Sequence, residues 1–139
     1  MREWNILLID QNDYHQYLHR FHELAGGNLP ETAATVPINR LINKKRIQFI
    51  NTTVTGINLD QRSVETSNGK INYDFLVISL GSQDEFFGIG ESGKQSFCTL
   101  KSFHDACLTK AKIVSLANKD NANIVIVGGG FTGAELLRC

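Results

Sequence analysis

Residues 124–135 have the sequence IVIVGGGFTGAE, and this stretch decides the fold of the 139-residue chain. Its first four residues are apolar, which predicts a buried strand ending at Val127. The glycines that follow have the spacing GxGxxG, at Gly128, Gly130 and Gly133. Because a helix-favouring run, Ala-Glu-Leu-Leu, comes next, the stretch predicts a strand, a tight turn and a helix in direct succession.

Each glycine has a separate physical role in such a turn. Gly128 permits the sharp change of direction, Gly130 lets the backbone approach a diphosphate, and Gly133 lets the helix pack closely on the strand. Backbone N–H groups and the positive end of the helix dipole would then face the phosphates. The motif therefore predicts a dinucleotide site, with a plain tight turn as the alternative. The acid that separates NADH from NADPH is expected about 20 residues later, so these residues do not make that distinction.

The residues before this motif alternate between strand and helix patterns, which is typical of a parallel sheet covered by helices. A middle stretch has the two-residue period of strands, and Asn68-Gly69 within it predicts a hairpin because both turn positions need positive φ. The predicted elements are a strand at 5–10, helices at 12–27 and 37–45, strands at 47–50, 53–59, 63–66 and 71–80, a helix at 102–117 and a strand at 123–127.

Two further features connect the meander to the glycine motif. Residues 75–80, FLVISL, are almost entirely apolar, so this last strand is predicted to re-enter the main sheet. A glycine-rich crossover follows it. The later helix begins with the capping-box spacing of Ser102 and Asp105. Its apolar face is predicted to consist of Phe103, Ala106, Cys107, Ala111 and Val114.

Composition excludes several classes of protein. Hydrophobic residues make up 42% and charged residues 20%, which is typical of a packed domain. Fourteen basic and fourteen acidic residues cancel, so the broad positive surface of a nucleic-acid binder is absent. No apolar run of about 18 residues occurs, so a membrane-spanning helix is not predicted, and the first ten residues do not predict a signal peptide. The three cysteines form no CxxC pair, which predicts reduced thiols and a cytoplasmic protein.

Asp10 stands at a position typical of the end of a dinucleotide-binding motif, whereas the glycine loop at 128–133 is typical of its beginning. It ends an apolar strand at the position of an acid that holds the ribose of a bound dinucleotide. The glycine loop belonging to that acid would lie about 20 residues earlier. Two interpretations stay open: Asp10 caps the next turn, or it belongs to a first dinucleotide site that precedes the one at Gly128.

Taken together, these segments resemble the pyridine-nucleotide flavoprotein family, which has one FAD domain and one NAD(P)H domain. Within that family the chain is most similar to the type II NADH dehydrogenases, which reduce quinone without pumping protons. The resemblance implies an α/β fold with a Rossmann-like parallel sheet and an inserted antiparallel β-meander. It is carried by LLIDQNDYH at 7–15, VPINRLINKKRIQFI at 36–50, TTVTGINLDQRSVETSNGKINYDFLVISLGS at 52–82, FFGI at 86–89, LKSFHDA at 100–106 and IVIVGGGFTGAE at 124–135.

The resemblance also implies roles for individual residues. Asp10 corresponds to the acid on the adenosine ribose of FAD, and Val54 to a backbone contact with the adenine. Gly81 and Ser82 lie where the family's backbone passes beside FAD. Glu135 corresponds to a catalytic acid near the nicotinamide–flavin junction, where it could orient groups or relay a proton. A helix acid stabilised by the dipole is the alternative for Glu135. The NADH diphosphate is assigned to Gly128, Gly130 and Gly133.

The resemblance covers about a third of the family's usual length. It divides the chain into a partial FAD domain at 1–82, a linker at 83–100 and the start of an NAD(P)H domain at 101–139. The implied function of the complete protein is hydride transfer from NADH to FAD and electron transfer to quinone or another acceptor. A homodimer and a peripheral position on the inner face of the cell membrane are also implied. A non-catalytic remnant and a different flavoprotein reductase, such as a ferredoxin reductase, are the alternatives.

The chain departs from the family pattern at Ser79-Leu80 and at Leu18-His19, and it also contains three histidines with helical spacing. Ser79-Leu80 replaces the family's Ala-Thr, and a leucine side chain cannot replace the threonine hydroxyl in a hydrogen bond. Leu18-His19 stands where the family has Gln-Pro. The spacing of His15, His19 and His22 would place three imidazoles on one face of the helix predicted at 12–27. No metal site is predicted, because the neighbouring charged residues indicate a polar helix face.

Overall fold

The computed structural model describes residues 4–84, 86, 97–117 and 119–139. The chain divides into two compact units: the first comprises residues up to 15 together with 36–80, and the second comprises 16–35 with 81–139. The fold mixes α and β elements, with a parallel strand pair and an antiparallel meander, so the predicted α/β class is confirmed.

The described residues form seven strands and four α-helices, numbered here in chain order. The strands are β1 (Ile6–Asp10), β2 (Tyr14–Gln16), β3 (Thr35–Pro37), β4 (Ile47–Asn51), β5 (Val54–Asn58), β6 (Ser63–Thr66) and β7 (Gly69–Asn72). The helices are α1 (Phe21–Ala25), α2 (Ile38–Leu41), α3 (Phe103–Leu116) and α4 (Phe131–Leu136), with 3₁₀ turns at Leu18–Arg20 and Glu31–Ala33.

Parallel pairing of β1 with β4 forms the sheet that ends at Asp10. Leu8 lies opposite Phe49, and Asp10 lies opposite Asn51. Both strands were predicted. The helix predicted at 37–45 is shorter, because Ile42 after α2 has an extended backbone with φ −86° and ψ 146°. Pro37 is its N-cap residue, not a residue of its first turn.

The meander has the predicted three strands, but its hairpin turn lies one residue earlier than predicted. β5, β6 and β7 are antiparallel neighbours in that order. Thr66 faces Gly69, so the two turn residues are Ser67 and Asn68, and Gly69 with φ +127° begins β7. The Thr66 hydroxyl explains this choice, because it accepts from Asn68 N at 3.2 Å and donates to Gly69 O at 2.8 Å.

The helix predicted over 12–27 is wrong in its first half. Residues 14–16 are β2, which pairs with β3, and only α1 is α-helical. Hydrogen bonds from Ile38 N to Asp13 O and from Tyr17 N to Ala34 O, at 2.9 and 3.0 Å, flank the paired strands. The helical spacing of apolar residues did not reveal this pairing, because a partner strand some twenty residues away leaves no trace in a local period.

The core of the second unit lies where α1 packs on α3. Phe21, Leu24 and Ala106 are fully buried there. The capping box at the start of α3 is confirmed, with Asp105 N donating to Ser102 Oγ at 3.1 Å and Ser102 N donating to the Asp105 carboxylate at 3.0 Å. The predicted apolar face is wrong at its end, since Ala111 and Val114 are exposed and the buried stripe includes Thr109. Thr109 is tolerated because its hydroxyl donates to Asp105 O at 2.8 Å.

One predicted strand is cut short and another is not formed. The strand predicted at 71–80 ends with β7, so 75–80 are outside it, and 123–127 form no strand; Val77 and Val127 are 85% and 86% exposed. A strand requires a neighbouring backbone to complete its hydrogen-bond ladder. In the described part of the chain, the parallel sheet consists of β1 and β4 alone, so neither apolar segment has such a neighbour.

Two buried hydroxyls in β6 allow a matched test of polar burial. Ser63 is fully buried, and no described residue forms a hydrogen bond with its Oγ. Because an unsatisfied buried hydroxyl is destabilising, we expect Ser63→Ala to raise the free energy of unfolding by about 1 kcal/mol. Thr66→Val should lower it by about 1 kcal/mol, since this hydroxyl has two partners. Urea unfolding of the variants measures both, and a loss of stability in Ser63→Ala would contradict the first expectation.

Candidate functional site

The glycine turn at 128–133 has a backbone conformation that residues with a side chain rarely adopt. Gly128 has φ +110°, a conformation that residues with a side chain rarely take. A Cβ added to Gly133 would lie 2.6 Å from Gly128 O and 3.4 Å from Ile126 Cγ2. The first glycine thus makes the turn, and the last one lets α4 lie directly against it.

The other side of this turn is open. A Cβ added to Gly129 or Gly130 would have no heavy atom within 4 Å. Gly130 is the N-cap residue of α4, with an extended backbone, and its carbonyl accepts the helical hydrogen bond from Ala134 N at 3.0 Å. The space above Gly129 and Gly130, called the cradle below, is therefore open, and a ligand could approach the backbone there without meeting a side chain of the turn.

Glu135 lies on α4 with its carboxylate turned towards α1. Glu135 Oε2 is 3.1 Å from His22 Nδ1, and the imidazole is only 16% exposed. Nδ1 is therefore the ring nitrogen that faces the carboxylate. The sequence did not reveal this pair, because His22 and Glu135 lie far apart in the chain and neither belongs to a motif that names the other.

Asp10 ends β1 with its backbone and side chain both in use. Its carbonyl accepts from Asn51 Nδ2 at 3.1 Å and from Thr52 N at 3.0 Å. Its Oδ1 accepts from Asn12 N at 2.8 Å, which is the capping contact that the sequence allowed. Among the described residues no partner is found for Oδ2, and the buried Oγ1 of Thr52, whose backbone N–H bonds to the Asp10 carbonyl, is also without a hydrogen bond. Asp10 thus caps the turn and keeps one oxygen available.

Three further predicted residues lie on exposed or half-buried backbone. Val54 is the first residue of β5, and the register shifts between it and Gly56. Gly81 has φ +80° with open space where a Cβ would be. Ser82 Oγ accepts from Lys101 Nζ at 3.4 Å, and the same ammonium group lies 3.9 Å from Asp84 Oδ1.

The predicted site residues divide between the two units. Asp10 and Val54 belong to the first unit. The second unit contains the remaining predicted residues: Gly81, Ser82, Gly128, Gly130, Gly133 and Glu135. Of these, Gly128, Gly130, Gly133 and Glu135 are brought together by the turn and α4.

The three histidines considered as metal ligands lie on different elements. His15 is in β2, His19 in a 3₁₀ turn and His22 in α1, so they do not share one helical face. Within the ranges that the structure describes, no three histidine, cysteine, aspartate or glutamate side chains cluster as metal ligands. None of the helices in those ranges combines the length and the apolar character that crossing a bilayer demands.

Burial raises the pKa of the Cys107 thiol above its ordinary value, with a further contribution from the Glu31 charge. The thiolate is the reactive form, so a raised pKa leaves less of it at neutral pH. We expect iodoacetamide at pH 7.5 to alkylate Cys107 several-fold more slowly than the exposed Cys98. Site-resolved mass spectrometry measures both rates, and equal rates in the folded chain would contradict this.

Comparison with known proteins gives a consistent result over nearly the whole chain. Residues 3–137 match the family described as pyridine nucleotide-disulphide oxidoreductase. The type II NADH:quinone oxidoreductases of Staphylococcus saprophyticus and Staphylococcus haemolyticus are 32% and 34% identical to this chain over 97% of its length. Among solved structures, the sulfide:quinone oxidoreductase of Aquifex aeolicus superposes on 83% of the chain with a TM-score of 0.72 and 33% identity.

These relatives are much longer than the chain. It spans 36% of the length of both staphylococcal proteins and 27% of the Aquifex aeolicus structure.

Proposed function

Because this chain belongs to the pyridine nucleotide-disulphide oxidoreductase family, we propose that it contributes parts of an FAD site and an NADH site to an NADH:quinone oxidoreductase. The observation that carries this proposal is the glycine turn at 128–133. Its first glycine has φ +110°, its last packs against the turn, and its two middle glycines leave open backbone. Those features are what a dinucleotide diphosphate requires of a strand-to-helix turn.

The residues present fit both cofactors. For NADH, the open backbone at Gly129 and Gly130 would hold the diphosphate, since a side chain there would fill the cradle. For FAD, Oδ2 of Asp10 is available to accept from a ribose hydroxyl. Val54, Gly81 and Ser82 are assigned to FAD because they correspond to positions where the family's backbone contacts that cofactor. When both are bound, the chemistry supplied by the cofactors is hydride transfer from the nicotinamide to the flavin.

Glu135 is proposed as the catalytic acid of this site. Its carboxylate is half-buried and turned sideways to His22, so it does not project over the glycines. In that position it can orient a neighbouring group or hold a proton beside the nicotinamide.

The proposed acceptor is quinone. All three relatives named above have quinone in their names, and the two staphylococcal ones use NADH as the donor by name. We further propose the division into an FAD part at 1–82, a linker at 83–100 and an NAD(P)H part at 101–139. Activity is proposed for the complete protein, because this chain spans about a third of the length of its relatives. We also propose that the complete protein is a homodimer on the inner face of the cell membrane.

Flavin titration tests the FAD part of the proposal directly. We expect FAD fluorescence to be quenched saturably by the wild-type chain, and Asp10→Ala to raise the Kd at least about tenfold, because a hydrogen bond to a charged group is lost. Asp60→Ala, in the exposed turn between β5 and β6, is the matched control and should leave the Kd unchanged. A wild-type chain that leaves FAD fluorescence unquenched would show that this FAD assignment is wrong.

A further inference from the structure

The contact between His22 and Glu135 joins α1 to the helix that follows the glycine turn. His22 Nδ1 and Glu135 Oε2 are 3.1 Å apart. Within the described residues, this imidazole is the group that contacts the Glu135 carboxylate. Both belong to the second unit, so the contact is internal to one compact body.

His22 belongs to a helix that is anchored in the core, since Phe21 and Leu24 of α1 are fully buried. The neighbouring acid, Glu23, is bound by Arg20, whose Nη2 donates to Glu23 Oε2 at 2.8 Å. This hydrogen bond holds the pKa of Glu23 below its ordinary value, with a smaller contribution from His22. The side-chain contact that His22 itself makes, through Nδ1, is with Glu135.

The negative charge of Glu135 would repel the negative charges of a diphosphate ligand. It lies two residues after Gly133, close along the chain to the turn that would receive two phosphates. Like charges repel even where water weakens the interaction, and the Glu135 side chain is 44% exposed. The built Cβ positions of Gly128, Gly129 and Gly130 have no heavy atom within 4 Å, so the carboxylate lies further than that from each of them.

We propose that His22 is a positioning residue for dinucleotide binding, which holds the Glu135 carboxylate aside from the mouth of the glycine turn. This inference rests on the proposed NADH site. It assigns to α1, which is outside the glycine motif, a share in the affinity of that motif for its ligand. Without the imidazole, the carboxylate would be free to turn towards the diphosphate and weaken its binding.

The test measures NADH affinity of the full chain by fluorescence titration in four variants. His22→Leu removes the donor and is expected to raise the Kd about tenfold, the effect of a unit charge facing a diphosphate. His22→Asn keeps an N–H near the place of Nδ1 and should restore affinity to within about twofold of wild type. In the Glu135→Gln background, adding His22→Leu should change the Kd by less than about twofold, because no charge is left to restrain.

Salt dependence separates this role from a structural one. The loss in His22→Leu should shrink as NaCl is raised from 50 to 500 mM (roughly a threefold change in screening length), because ions screen the repulsion. A loss that persists in the Glu135→Gln background, or that is independent of salt, would show that His22 acts only through packing. Unchanged affinity in His22→Leu would overturn the proposal while leaving the NADH site standing. Absence of NADH binding by the wild-type chain would overturn the proposed NADH site and this inference with it.

Discussion

Replacing Gly133 with valine is expected to abolish measurable NADH binding, with the Kd raised at least about a hundredfold. A Cβ at this position would lie 2.6 Å from Gly128 O, closer than real Cβ contacts occur. The atom in the way belongs to the backbone, so no flexible side chain can move aside. α4 must therefore shift away from the turn, and the N–H groups at its start move away from the diphosphate with it.

Ala134→Val is the matched control for that variant. Ala134 is the next residue of α4, lies outside the turn and is exposed, so the same valine side chain can point into solvent there. We expect its Kd for NADH to stay within about threefold of wild type. Isothermal titration calorimetry measures both variants. Equal affinity in Gly133→Val and Ala134→Val would show that close packing of α4 on the turn is not what prepares the site.

Phe21→Ala is expected to have the largest effect on stability, a loss of about 3–5 kcal/mol. Phe21 is fully buried and lies at the centre of the cluster that joins α1 to α3 and to the segment around Leu29 and Ala34. Deleting the ring removes its buried surface from the cluster and leaves a cavity that its neighbours fill only in part. Since a domain is stable by only about 5–15 kcal/mol, this variant should be largely unfolded in moderate urea.

Leu18→Ala is the control for the core substitution, because Leu18 is 56% exposed in the adjacent 3₁₀ turn. It should change the free energy of unfolding by less than about 0.5 kcal/mol. Urea titration followed by circular dichroism measures both variants. A Phe21→Ala variant as stable as Leu18→Ala would place the core of the second unit elsewhere.

Features fixed by neighbouring residues were predicted well. β6 has its predicted bounds, and the capping box of Ser102 and Asp105 forms with the predicted partners. The turn glycine at 128 has the positive φ that its motif demands. In each case the residues that interact lie within a few positions of one another, so the local pattern contains the whole interaction.

Features that depend on distant partners were missed. The pairing of β2 with β3 overrides the helical spacing around Tyr14, because backbone hydrogen bonds from another segment outweigh a weak periodicity. Residues 75–80 have the composition of a buried strand, yet composition does not supply the neighbouring backbone that a strand needs. The sequence singled out His22 only as one of three histidines with helical spacing, and its contact with Glu135 follows from the packing of α1 near α4.

The most direct test of the central claim is a titration of the ¹⁵N-labelled chain with NADH, followed by amide NMR. The claim is that the backbone of residues 128–133 receives a dinucleotide diphosphate. It predicts saturable shifts of the amide signals of Gly129, Gly130 and Phe131, with ADP-ribose giving the same shifts because it carries the same diphosphate. Unshifted glycine amides in the folded chain at millimolar NADH, or shifts confined to other segments, would contradict it.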